Sequence, residues 1–200
     1  CIVDDEASRY ASRQEIIRRY YEALCDQKKG KNVEEAIRKL ELLMKKIGID
    51  ISERKVVAPA LAKAEETGDA AAAMELPDGT IVTGRTSDLL GASSALLLNA
   101  LKKIGGLPDD LHMISPIVLE PIQNLKTNHL GNRNPRLHTD ETLIALSISA
   151  STNPIAKLAM DQLGKLRGCD VHSSVILSQV DVRTFKRLDV NLTCEPRFQG

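Results

Sequence analysis

The stretch AAAAMELPDGTIVTGRTSDLLGASSALLLNALKKI, residues 70–104, decides the fold. A small-residue run from Ala70 to Leu76 meets the turn signal Pro77-Asp78-Gly79, and the β-rich run Thr80-Ile81-Val82-Thr83-Gly84 follows. Two extended runs around such a turn predict a β-hairpin. Thr86-Ser87-Asp88 then supplies N-cap residue types. From Leu89 to Leu101, apolar residues fall on every face of the implied helix, as in a helix that is buried all round. Lys102, Lys103 and Gly105-Gly106 end it.

On the N-terminal side, Ile16, Ile17, Tyr20, Tyr21 and Leu24 recur at helical spacing and predict a helix over 5–29, stopped by Lys28-Lys29-Gly30. Ala36, Ile37, Leu40, Leu43, Met44 and Ile47 mark a second amphipathic helix over 33–47, ended by Gly48. Residues 1–55 therefore read as a helical hairpin appendage, and residues 56–200 as an α/β domain. That domain opens with a helix over 57–67 that has Pro59 in its first turn.

Beyond the hairpin, a short strand is expected over Leu111–Ile114. A helix from Pro116 and a polar loop over 127–138 follow. Next comes a buried helix capped by Thr139 or Asp140 and carrying Leu143, Ile144, Leu146 and Ile148. Asn153-Pro154 starts another helix, since Asn caps and Pro suits the first helical position. A strand over Val171–Leu177, a short helix around Phe185 and a strand over Val190–Cys194 complete the pattern. Alternating strands and helices predict an α/β fold, a mixed sheet layered with helices.

Composition narrows the classes of function. Aromatic residues are 2% of the chain and Trp is absent, so the core is aliphatic and a base-stacking surface is disfavoured. Formal net charge is zero, which gives no electrostatic footprint for nucleic acid or an anionic membrane. Cys1, Cys25, Cys169 and Cys194 form no CxxC pair. No zinc site is expected, and so few cysteines suit a reducing, cytoplasmic compartment. The most apolar stretch falls short of the ~20 residues of a membrane span. The opening Cys1-Ile2-Val3-Asp4-Asp5-Glu6 reads as the middle of a protein, so the chain is expected to be the C-terminal part of a longer one.

Hairpin, buried helix, strand ending in Ser115-Pro116, then helix: this order resembles the cytidine deaminase layout. That resemblance implies a zinc-ligand motif at the start of the buried helix and a Pro-Cys-x-x-Cys after the next strand. Here the two places read Ser93-Ser94-Ala95-Leu96 and Pro116-Ile117-Val118-Leu119-Glu120. Deamination needs soft ligands to activate a water and a carboxylate to shuttle protons, and neither is present.

A closer resemblance is carried by long strings: Glu75-Leu-Pro-Asp-Gly-Thr-Ile-Val-Thr-Gly84, His129-Leu-Gly-Asn-Arg-Asn-Pro-Arg-Leu-His-Thr-Asp140, Ala145-Leu-Ser-Ile-Ser-Ala150, Gly168-Cys-Asp-Val-His-Ser-Ser174 and Val190-Asn-Leu-Thr-Cys194. By these the chain resembles a bacterial family known as domain of unknown function eighteen-forty-six. The resemblance implies a multidomain cytoplasmic protein whose absent N-terminal region bears a Gly-rich, Lys-containing phosphate-loop-like segment. It implies no reaction.

Candidate chemistry concentrates in His129–Asp140. No acidic residue lies between Glu120 and Asp140, whereas Lys126, His129, Arg133, Arg136 and His138 do. The loop runs into a helix N-terminus, where free N–H groups favour an anion, and Arg grips phosphate at two points. His129, Arg133, Asn134, Arg136 and Thr139 are the expected ligand-binding residues. The alternative is a solvated loop whose arginines pair with acids elsewhere. His138, beside Asp140, is a candidate general base or only a capping neighbour. His172 is a candidate facing a cleft at a strand end or a satisfied core histidine. The expected function is binding of a phosphate-bearing or nucleotide-like small molecule together with the missing region. The alternative is a non-catalytic structural or oligomerisation module. A homo-oligomer is expected. Nucleic acid and membrane are not expected partners.

Overall fold

The computed structural model describes residues 2–199. Helices α1 (Ile2–Lys28), α2 (Glu34–Ile47) and α3 (Val57–Thr67) precede strands β1 (Ala71–Glu75) and β2 (Ile81–Arg85). Helices α4 (Ala92–Ile104), α5 (Pro116–Asn124), α6 (Thr139–Ala150) and α7 (Pro154–Met160) follow, then β3 (Asp170–Ser173), α8 (Gln179–Arg187) and β4 (Asn191–Cys194). The sheet is mixed, in the order β2-β1-β3-β4: β1 is antiparallel to both neighbours and β3 is parallel to β4.

The hairpin forms as its turn chemistry requires. Asp78 Oδ1 accepts the Thr80 N–H at 2.9 Å, and Gly79 adopts the positive φ of +81° that a side chain would strain. The alanines of β1 are buried on both sides because two helical layers press on them. Ala72 and Met74 face the larger core with α4, while Ala73 meets Val56 and Ala60. Approach is closest at Gly84, where an added Cβ would lie 2.2 Å from the Leu96 backbone N. That glycine lets α4 lie directly on β2.

Layers are thus set: α3 and part of α1 cover one face of the sheet, and α4 with α6, α7 and α8 the other. The N-terminal hairpin is tied in through a cluster of Ile17, Tyr21, Met44, Ile49 and Val57.

Several expectations change. The strand expected over 171–177 ends at Ser173, and α6 takes His138 as its N-cap in place of Thr139 or Asp140. No strand forms over 111–114. Met113 and Ile114 are buried all the same, from an irregular segment between α4 and α5. The buried helix begins at Ala92 with Gly91 as N-cap, not at Thr86–Asp88. Leu89 and Leu90 are instead drawn into a bridge with Leu137, whose N–H donates to the Leu89 carbonyl at 2.9 Å. Residues 127–129, expected as loop, belong to a π-helical turn over 125–129 that continues α5 beyond Pro121, which lacks the N–H a regular helix uses. Finally, Ile144 and Ile148 of α6, expected to be buried, are exposed.

Candidate functional site

The loop ahead of α6 is fixed from beneath by one buried cation. Lys126 Nζ donates to the Arg136 carbonyl at 2.6 Å and to Glu141 Oε2 at 2.7 Å. Glu141 Oε2 also accepts the His138 N–H at 2.8 Å, closing the first turn of α6. Asn134 Oδ1 accepts the Arg136 N–H at 3.0 Å, an Asx turn that sharpens the bend. Leu137 is buried, so its neighbours Arg136 and His138 are directed away from the core.

Arg136 Nε donates to the carbonyl of Ser87, just past β2, at 2.8 Å. Arg133, Asn134 and Arg136 then border an open cleft of about 530 Å³ with Asp88 and Gln199. Among the described residues neither arginine forms an ion pair, and Arg136 spends only one of its five N–H groups on the fold. Nearby, the carboxyl ends of the parallel strands are tied off. Ser174 Oγ accepts the Ala71 N–H at 3.0 Å, and the Glu195 N–H donates to the Ser173 carbonyl at 2.9 Å. Open α/β sheets present ligands at this end of their strands.

His138 is paired with Asp181, not with the adjacent Asp140. Its Nδ1 lies 3.1 Å from Asp181 Oδ2. Asp181 Oδ1 accepts from the Thr139 N–H (2.9 Å) and Thr139 Oγ1 (3.0 Å), and Oδ2 accepts from Ser178 Oγ at 2.7 Å. Ser178 is the N-cap of α8, so the cluster joins the N-termini of α6 and α8. The hydrogen bond to Asp181 raises the His138 pKa above its ordinary value, and burial works against it. Burial pushes the Asp181 carboxyl up, but the hydrogen bonds from His138, Ser178 and Thr139 outweigh it and hold it low. Nδ1–H donating to a carboxylate leaves Nε2 as the acceptor of the neutral ring.

The expected residues therefore separate into groups. Arg133, Asn134 and Arg136 come together on the cleft, whereas Thr139 is buried as a support for Asp181. His129 is exposed at the end of the π-helical turn and does not line that cleft. Asp140 is exposed and accepts only the Glu141 N–H. His172 is fully buried with both ring nitrogens in contact, Nδ1 with Thr193 Oγ1 at 2.8 Å and Nε2 with Glu195 Oε1 at 3.1 Å. Burial lowers its pKa. Asp181 and Ser178 were missed. Ser178 is a legible N-cap type, accepting the Asp181 N–H, but nothing local links Asp181 to His138, which is 43 residues away.

Two other places hold polar groups. Beneath α1, Arg54 is buried and donates to Thr193 Oγ1 (2.8 Å), Gln14 Oε1 (3.4 Å) and the carbonyls of Val171 (3.1 Å) and Asn191 (2.5 Å), while pairing with Asp170 at 3.1 Å. A groove of about 620 Å³ runs between α1, α8 and the open edge of β4. Its charges largely neutralise one another, as in Arg18 and Arg19 with Glu15, Lys31 with Asp26, and Asp189 with Arg167. Burial pushes the thiols of Cys25 and Cys169 up to about 11 and that of Cys194 to about 12, so none of the three is a ready thiolate. Among the described residues no three His, Cys, Asp or Glu side chains are grouped to hold a metal ion, and no helix is long and apolar enough to cross a membrane.

Fold and site together define a mixed α/β domain with a pinned basic loop at the carboxyl end of its parallel strands. Residues 52–200 match the family profile described as the C-terminal part of domain of unknown function DUF1846, and residues 1–48 match that of its N-terminal part. The chain belongs to the DUF1846 family. It is 54% identical over its whole length to the UPF0371 protein DIP2346 of Corynebacterium diphtheriae, covering 40% of that protein. It is 51% identical to the UPF0371 protein cu0538 of Corynebacterium urealyticum and 50% identical to the UPF0371 protein stu1377 of Streptococcus thermophilus. In each case 99% of the chain and 40% of the relative are covered. The chain thus spans about 40% of the length of these curated relatives.

Proposed function

We propose that this domain binds a phosphate-bearing small molecule of nucleotide type in the cleft beneath residues 133–136. The observation that carries this reading is that two guanidinium groups share one open cleft and neither is paired with a carboxylate among the described residues. A guanidinium fork matches phosphate geometry. Lys126 contributes by holding the loop from below, which spares a ligand part of the ordering cost. Asp88 at the cleft rim suits a ligand that carries hydroxyls beside its phosphate. In the longer, cytoplasmic protein the same site would be completed by residues outside this chain. The deaminase-like order extends here only to the hairpin and α4, and deamination is no part of this reading.

The test is calorimetric titration with pyrophosphate and with ATP, on the chain and on Arg133→Ala/Arg136→Ala. Binding by the parent chain is expected. Removal of both charged contacts should weaken it by at least about tenfold, taking ~1.5–3 kcal/mol for each hydrogen bond to a charged group. Equal binding by the double variant, or none by the parent, rejects the reading.

A further inference from the structure

His138 has one ring nitrogen in use and one free. Nδ1 lies against Asp181 Oδ2 at 3.1 Å, with Ser178 Oγ at 3.4 Å, while among the described residues nothing bonds Nε2. The side chain is 32% exposed, and Nε2 is not sealed inside the fold. A carboxylate that holds one nitrogen fixes the orientation of the ring and leaves the other nitrogen for a ligand.

The backbone sets that nitrogen beside the arginine cleft. Leu137 pairs with Leu90 as a parallel bridge, and His138 keeps extended backbone at φ −76° and ψ 169°. On an extended chain, alternate residues share a side and lie roughly 6.6 Å apart. Leu137 is buried, so Arg136 and His138 share the side turned away from the core. The cleft's lining on this loop runs from Arg133 to Arg136, and His138 is the next residue on that side. The first turn of α6 adds few donors of its own, since the Thr139 N–H is spent on Asp181 and the Glu141 N–H on Asp140.

Given that the cleft takes a phosphate, we propose that its ligand carries two linked phosphates, one gripped by Arg133 and Arg136 and the next accepting the Nε2–H of His138. A single phosphate in the cleft would leave His138 idle, whereas a diphosphate reaches from one residue to the other. Only the imidazolium carries a proton on both nitrogens. With Nδ1–H directed at Asp181, the neutral ring turns a lone pair on the phosphate oxygen, so the contact exists only while the second proton is on. The hydrogen bond to Asp181 on α8 raises the His138 pKa most and burial opposes it; Lys126 of the π-helical turn also lowers it, and Glu141 on α6 raises it. Arg136 stands on the same segment. A bound diphosphate adds negative charge at Nε2 and raises that pKa further, so binding takes up a proton wherever the free ring is neutral.

The test is calorimetric titration of the parent chain and of His138→Gln, with pyrophosphate and with orthophosphate. At about pH 6, where the ring is protonated, the substitution should weaken pyrophosphate by about tenfold and orthophosphate by less than about twofold. The gap between the two proteins should close as pH rises through the raised pKa, and their ratio cancels the titration of the ligand itself. A second measurement needs no substitution: the ring resonances of His138 in the parent chain should show its pKa rising on saturation with pyrophosphate, and rising less with orthophosphate. Pyrophosphate that binds with the His138 pKa unmoved, or that His138→Gln weakens no more than orthophosphate, overturns the two-phosphate site and leaves the arginine cleft standing. No binding of either anion by the parent chain rejects the cleft itself, and this proposal with it.

Discussion

Two arginine–histidine regions lie at different levels of this fold, and their hydrogen-bond accounts differ. Around Arg54 and His172 every donor is spent. The guanidinium reaches two backbone carbonyls, Thr193, Gln14 and Asp170, and both nitrogens of the imidazole are occupied. Thr193 Oγ1 is the shared node, accepting from Arg54 Nε, lying 2.8 Å from His172 Nδ1 and donating to the Val171 carbonyl at 3.1 Å, while Nε2 of His172 faces Glu195. At the other region, Arg136 makes one bond to the fold and His138 is held through Nδ1 alone. A buried cation with no donor left is a structural device. A cation pinned at one point, with donors turned to a cleft, retains the capacity to bind. Residue type was the same in both places, and only the unspent groups distinguish them.

Removing the structural cation is the harshest test of that contrast. Arg54→Met should leave Asp170 without its buried partner and take the guanidinium away from the carbonyls of Val171 and Asn191. The expected loss is about 3–5 kcal/mol, or roughly 6–20 °C in Tm for a chain of this size. Urea and thermal unfolding would measure it. A loss below ~1 kcal/mol would mean that the burial of Arg54 is incidental, and the contrast between the two regions would collapse.

Asp181 belongs to the second region but is itself structural, and it should come next. Asp181→Ala removes the acceptor for Thr139, Ser178 and His138 together, at about 1.5–3 kcal/mol for hydrogen bonds to a buried charge. Denaturant unfolding gives the cost. In the same variant the His138 pKa, followed by its NMR ring resonances, should fall, because the hydrogen bond that raises it is gone.

These two regions also show what a sequence can and cannot say. Helix α2 was legible because its apolar stripe and its stop are local, and Gly48 indeed takes the left-handed cap, at φ +62°. Asn153 was legible for the same reason, its side chain accepting the Ile155 N–H at 2.9 Å. The basic character of 129–140 could be read directly, but which of its cations face a cleft could not. That depends on Ser87, Asp88 and Gln199, which are distant in sequence. Arg54 gave no signal at all, since its partners Val171, Asn191 and Thr193 lie more than a hundred residues away. The exposure of Ile144 and Ile148 was illegible in a different sense. An apolar stripe announces that something covers it, and not whether that neighbour belongs to the same chain.

Opposite pKa shifts of the two histidines sharpen the comparison without any substitution. His138 is raised, so it holds a proton in the folded state that the unfolded chain has released. Its contribution is fully present below the ordinary value near ~6.5 and is lost as pH rises through the raised one. His172 is lowered by burial, so its contribution is fully present above ~6.5 and is lost as pH falls through the depressed value. NMR titration should find one ring titrating above the unfolded value and the other below it. Stability against denaturant should fall on both sides of neutrality, on the acid side through His172 and on the alkaline side through His138. Two histidines titrating together at the ordinary value would erase the difference claimed between the regions.

The smallest effect on stability should accompany the largest effect on ligand. Arg133 is exposed and makes no ion pair among the described residues, so Arg133→Ala should change unfolding free energy by no more than about 0.5 kcal/mol. Arg136→Ala loses one bond to the Ser87 carbonyl, about 1 kcal/mol. If these guanidinium groups are kept for an anion, the two substitutions should remove the stabilisation that pyrophosphate gives the parent chain, because a ligand raises stability only through its affinity for the folded state. A melting series with and without pyrophosphate reads both quantities at once. Were Arg133 to prove as costly to remove as Arg54, its donors would have a partner in the fold, and the cleft would lose the feature that marks it as a site.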